Sequence, residues 1–216
     1  MGNFFNPEQG IWSWLSTLVD ICGLSLVWAF LCLPIVTIGP ATAALYFAVV
    51  KCVRRKEGGA FGCYFRSFRE NLRTGIPATL ICVAAVALLA CGYAIMRLNR
   101  NTPQGYIMYA AYYVLLILPA GLLCYLFPML GRFTFGVREL FITAFQLTVR
   151  HLPSTVVVVL LVAETAAFTI NNWWPVLFMP AVAALLCSLF FERIFLKYSP
   201  ELAAEAQEKA EETDAG

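Results

Sequence analysis

In the run "VVVVLLVAETAAFTI", Glu164 is the only ionisable side chain among fifteen residues. A carboxyl group in so apolar a helix costs several kcal/mol unless it is paired, protonated or turned to a polar interior, so Glu164 is the first candidate for an intramembrane polar site. The bland alternative is a helix-to-helix hydrogen bond. Asp20 offers the same chemistry nearer the end of its apolar run. Thr37 and Thr42 flank the Gly39-Pro40 pair in "LPIVTIGPATAALY", where a broken helix could turn hydroxyls and freed backbone groups into a polar site. The simpler reading of that stretch is a hairpin bend between two spans, with "ATAA" supplying small residues for close helix packing.

No other set of residues composes a reactive centre. His151 is the single histidine and has no second histidine or carboxylate cluster beside it, so no metal set is expected. The eight cysteines are scattered through apolar runs without a C-x-x-C pair, as buried small hydrophobes in a reduced setting would be. G-x-S-x-G, P-loop and G-x-G-x-x-G patterns are missing. A non-enzymatic protein without a cofactor is expected.

These residues sit in a chain of 216 residues that is 61% hydrophobic and 13% charged, with a mean hydropathy of +0.75. That is more apolar surface than one soluble core can bury, so the chain reads as an all-helical, polytopic integral membrane protein. One transmembrane domain is expected over residues 1–198, followed by an acidic, solvated tail over 199–216. The first ten residues hold no Lys or Arg and no cleavage site follows, so the first span is expected to be retained.

Six spans of about 20 residues fit, with five possible. The first covers "WLSTLVDICGLSLVWAFLCLPIV"; the second, "ATAALYFAVVKCVRR", is short, and whether residues 40–55 cross fully is open. The others fall near 76–96, 106–130, 153–170 and 175–192, the last two joined by "NNWWP" with tryptophans at headgroup level.

Two amphipathic segments are expected at the cytoplasmic interface. In one, Phe61, Tyr64, Phe65, Phe68 and Leu72 form the apolar face against Arg66, Arg69, Glu70 and Arg73. In the other, Val137, Leu140, Phe141, Ala144, Phe145 and Thr148 oppose Arg138, Glu139, Gln146 and Arg150. Arg66, Arg69, Arg73 and Arg138 are the candidate contacts for a partner or for anionic lipid headgroups. Nucleic acid is not expected, because the aromatics form the buried stripe and are not free to stack on bases.

Thirteen of the fifteen Lys and Arg fall within residues 51–73, 131–151 and 193–209. With six spans these segments share one side, and the positive-inside rule then places both termini in the cytoplasm.

The spacing P-x-x-T-I-G-P-A-x-x-A-L-Y, from Pro34 to Tyr46, followed by Phe61, Phe65, Phe68 and Asn71 in a basic segment, resembles the YesL family of bacterial membrane proteins. The resemblance covers nearly the whole chain and is less distinct in its second half. That family has no assigned biochemical function and is often encoded beside carbohydrate importers and glycan-degrading enzymes. The resemblance therefore implies a bacterial cell-membrane accessory of a carbohydrate (ABC-type) uptake system, with importer subunits as partners. The alternative, drawn from Glu164, is a small solute transporter.

In a cysteine-free background, single cysteines at Gly58 and Gly136 should label only from the cytoplasmic side, and at Gln104 and Asn172 only from outside. External labelling at Gly58 would overturn the topology, since it carries the basic segment 51–73 with it.

Overall fold

The computed structural model describes residues 7–54, 58–98, 102–133, 135–172 and 174–198. The acidic tail expected over 199–216 lies outside these residues. The described residues form seven α-helices and no strand: α1 (Pro7–Leu31), α2 (Ile38–Ala48), α3 (Ala60–Leu98), α4 (Pro103–Arg132), α5 (Val137–Arg150), α6 (Leu152–Asn171) and α7 (Met179–Tyr198). Four segments are long and apolar enough to cross a membrane: Ile35–Cys52, Ala60–Leu98, Gln104–Arg132 and Leu152–Asn171.

The Pro/Gly stretch bends the chain sharply. Pro34 disfavours helical backbone at Leu33, and α1 ends at Leu31. Thr37 Oγ1 shares its proton between the carbonyls of Leu31 (2.5 Å) and Pro34 (2.8 Å), and Thr37 N–H also donates to the Pro34 carbonyl at 3.0 Å. A 3-10 turn, Ile35–Thr37, leads into α2. Pro40 falls in its first turn, where a missing N–H sacrifices no intrahelical bond. A π turn at Val49–Arg54 follows. Gly58, at φ 78°, adopts the left-handed backbone that favours glycine just before α3.

α2 is the most enclosed element, and its small residues explain why. Ala41, Ala43, Ala44 and Ala48 have no exposed surface. A Cβ on Gly131 of α4 would stand 2.5 Å from the Ala43 carbonyl oxygen, and one on Gly75 of α3 would stand 2.6 Å from Pro40 Cγ. The backbones of α2 and α4 touch there, and α2 rests directly on α3. Two apolar clusters share this helix and the π turn after it: Ala43, Tyr46 and Val50 pack with α3, α4, α5, α6 and α7, while Ala44, Leu45, Ala48 and Val49 pack with α1, the start of α3 and α7.

The first amphipathic segment and the third expected span are one element. α3 runs unbroken for 39 residues through Pro77, and the boundary expected between them is absent. Thr79 Oγ1 bonds the Gly75 carbonyl at 2.6 Å and accepts from Gly39 N–H at 3.2 Å, stitching the proline region to α2. The start of α3 packs on α2, with Tyr64 fully buried and its hydroxyl donating to the Ala41 carbonyl at 3.3 Å. Of the expected apolar face, Phe61 and Phe65 are exposed and Phe68 and Leu72 half-buried. Tyr64 of that face is fully buried, and Ser67, which was not assigned to it, is buried as well.

α5 follows its expected segment, but its buried residues are Leu140, Ala144, Leu147 and Thr148, and Phe145 is exposed. α5 lies in the groove of α4, where Gly121 admits Thr148 and Thr155, and that contact selects the face. Beyond Thr79, α3 pairs with the first half of α4 as a two-helix arm: Gly92 faces Tyr112, whose hydroxyl bonds the Leu89 carbonyl at 2.7 Å. The outward side chains of this arm, such as Leu88, Val86, Ile107 and Val114, are exposed and apolar, as lipid contact requires.

Gly131→Ala forces a methyl against the Ala43 carbonyl and should destabilise the fold by about 1–3 kcal/mol. Gly62→Ala, with nothing within 4 Å, should stabilise it by up to about 1 kcal/mol. Unfolding of the purified protein in mixed detergent and SDS micelles measures both, and equal stability of the two variants would contradict backbone contact between α2 and α4.

Candidate functional site

Arg132, the last residue of α4, and Glu192 of α7 form a bidentate ion pair whose side chains are 8% and 7% exposed. Arg132 Nε donates to Glu192 Oε1 at 3.0 Å and its terminal nitrogen to Oε2 at 2.5 Å. Tyr46 of α2 donates its hydroxyl to the same Oε1 at 3.3 Å. Three helices distant in sequence therefore meet on one carboxylate. Phe191 lies against both Tyr46 and Tyr125, with ring centroids 6.1 and 4.8 Å away, and Phe195 contacts Phe133 and Phe191. This aromatic wall raises the strength of each charge-assisted bond and the cost of losing either partner.

Beside this pair lies an apolar cavity of 460 Å³ between α1, α2, α4, α6 and α7. Tyr46 and Phe191 belong both to its wall and to the surroundings of the ion pair. Its threonines are already engaged: Thr42 bonds the Ile38 carbonyl and accepts from Trp28 Nε1, Thr165 bonds Val162, and Thr169 bonds Thr165. Such a wall suits an alkyl chain better than a sugar, whose hydroxyls would find few free partners.

The residues singled out from the sequence are not brought together. Glu164 is exposed on α6 and is not part of the cavity wall; among the described residues it has no hydrogen bond or ion pair. Asp20 is half-buried on α1 beside core residue Ile21. Thr37 closes the α1–α2 bend, and Thr42 lines the cavity. Arg66, Arg69, Arg73 and Arg138 are all exposed, Arg66 in an i,i+4 pair with Glu70 at 3.2 Å. Among the described residues no group of three or more His, Cys, Asp or Glu could hold a metal ion.

Sequence reasoning missed the ion pair. Arg132 and Glu192 are 60 positions apart and Tyr46 and Glu192 are 146 apart, so no local spacing announces them. The available signals were a lone acid in "SLFFERIF", an arginine ending "PMLGR", and the tyrosine closing the Pro34–Tyr46 motif.

A family described as "Protein of unknown function, DUF624" matches residues 21–93. The match spans α1 from Ile21, all of α2 and α3 as far as Tyr93, so it includes Tyr46 but neither Arg132 nor Glu192. Searches of curated proteins and of solved structures returned no match.

Glu192→Ala or Arg132→Ala leaves a buried charge alone and should each cost about 3–5 kcal/mol. The double variant Arg132→Met, Glu192→Leu should recover most of that loss, and Tyr46→Phe should cost only about 1 kcal/mol. A thermodynamic cycle from detergent unfolding tests the set; additive single losses would show that the groups do not act on each other.

Proposed function

We propose that this protein is a non-enzymatic accessory subunit of the bacterial cell membrane, of YesL type, with six spans and both termini in the cytoplasm, serving a carbohydrate (ABC-type) importer. The single observation that supports it is the distribution of polar groups. The buried charges Arg132 and Glu192 neutralise each other inside the bundle, whereas Arg66, Arg69, Arg73 and Arg138 are exposed on α3 and α5. Among the described residues the converging polar groups, Arg132, Glu192 and Tyr46, are bonded to one another, and the exposed arginines are on the outside, where a partner or a lipid surface can meet them. The family match is consistent with the YesL resemblance, which is the source of the importer association. The transporter alternative draws less support, because Glu164 is not among the residues lining the cavity and that wall is apolar.

Charge reversal at Arg66, Arg69 and Arg138 should reduce co-purification with importer subunits at least tenfold and abolish growth on the imported glycan, while membrane levels stay unchanged. A wild-type protein that never co-purifies with an importer would end the accessory reading; a reversed protein that still does so would relocate the contact surface.

A further inference from the structure

α6 is an apolar segment of span length, and only 11% of its most apolar window is buried in the bundle. Its attachment is concentrated at its start. Thr155 is fully buried, with its hydroxyl near the Thr148 and His151 carbonyls at 3.1 and 3.0 Å, and Val158 is fully buried on the core. Further along, one side borders the apolar cavity through Val162, Thr165 and Ala166. The opposite side exposes Val157, Leu160, Glu164, Ala167 and Phe168.

Those residues follow the i, i+3, i+4 spacing of one helical face. Ala163 and Ala167 beside Glu164 would allow another helix to approach closely. Lipid tails can cover the valines and leucines, but they offer a carboxylate neither a counter-charge nor a donor.

We infer that this face of α6 docks a transmembrane helix of a different protein, one that carries a cationic side chain opposite Glu164. Charge complementarity selects that occupant over a second copy. A symmetric pair of α6 helices would set Glu164 against Glu164. The exposed arginines of this chain are elsewhere: Arg66, Arg69 and Arg73 precede Pro77 in α3, Arg97 is next to the end of α3, Arg138 and Arg150 lie on α5, and Arg193 is five residues from the end of α7. Only Arg193 among these stands in an apolar run, and it is nearer its helix end than Glu164, which is seven residues from the end of α6 and twelve from its start. The inference deepens the accessory-subunit reading and rests on it only in requiring a membrane partner, whatever that partner transports.

The test places a photo-crosslinking amino acid at Leu160 or Ala167 in the full-length protein in native membranes, with Val86 on the α3 arm as the control site. The expected product joins α6 to a transmembrane helix bearing Lys, Arg or His within one turn of the crosslink. Glu164→Ala and Glu164→Lys should each lower its yield at least tenfold, and exchanging the charges, Glu164→Lys with the partner's cation changed to Glu, should restore it. Unfolding of the Glu164→Ala protein in detergent should match the wild type, which separates lost docking from lost folding. Adducts only to lipid, only to a second copy, or to a helix without a basic residue would each overturn the inference, as would failure of the charge exchange. A cation-bearing partner that is not an importer subunit would keep the inference and overturn the importer reading alone.

Discussion

Backbone contact between α2 and its neighbours is the constraint on which the rest of this bundle depends. Helices in lipid gain little from hydrophobic burial against one another, so close packing must supply much of their adhesion. Gly75 and Gly131 remove the side chains that would hold α3 and α4 away, and the alanines of α2 remove them from the other side. Once Ala43 touches Gly131, Arg132 is one residue from the contact and Tyr46 is three, so both come within reach of Glu192. The ion pair is thus a consequence of small residues as much as of charged ones.

The same contact gives the Pro34–Tyr46 motif a physical meaning. Pro34 and Thr37 make the bend, Gly39 donates to Thr79, Pro40 rests on Gly75, the alanines admit α4, and Tyr46 reaches the buried carboxylate. Each position has a packing or hydrogen-bonding role. None of these roles requires a ligand, although Thr42, Leu45 and Tyr46 also line the cavity.

Helical class, apolar character and most helix positions were legible in the sequence because they depend on local quantities. Hydropathy locates α4 and α6, Pro40 marks the start of α2, and the 3.6-residue period locates α5. What failed depends on partners. The choice between Phe145 and Leu147 as the buried residue is made by α4, and the exposure of Phe61 and Phe65 beside buried Tyr64 goes with the packing of α3 on α2. The expected boundary between the segment ending at Arg73 and the span from about 76 is absent, since a proline inside a helix removes only one backbone donor, and Thr79 beside it ties α3 to α2 through Gly39. The candidate site was the least legible feature, since Arg132 and Glu192 acquire significance only through a contact across three helices.

Glu164 and Glu192 then show how little an acid in an apolar helix says by itself. Both stand among Val, Leu, Phe and Ala, and the sequence drew attention to Glu164 because its neighbourhood is the more uniformly apolar. The fold reverses the ranking of their internal roles. Glu192 receives an arginine, a tyrosine and an aromatic wall, so its charge is compensated within the chain. Glu164 lies on the exposed side of α6, and the bundle supplies it with no donor among the described residues. The energetic demand on the two carboxyl groups is the same: a proton, a counter-charge or water. One demand is met by folding. The other is not met by any donor among the described residues, and that is the ground on which a partner's cation is placed against the less anchored helix.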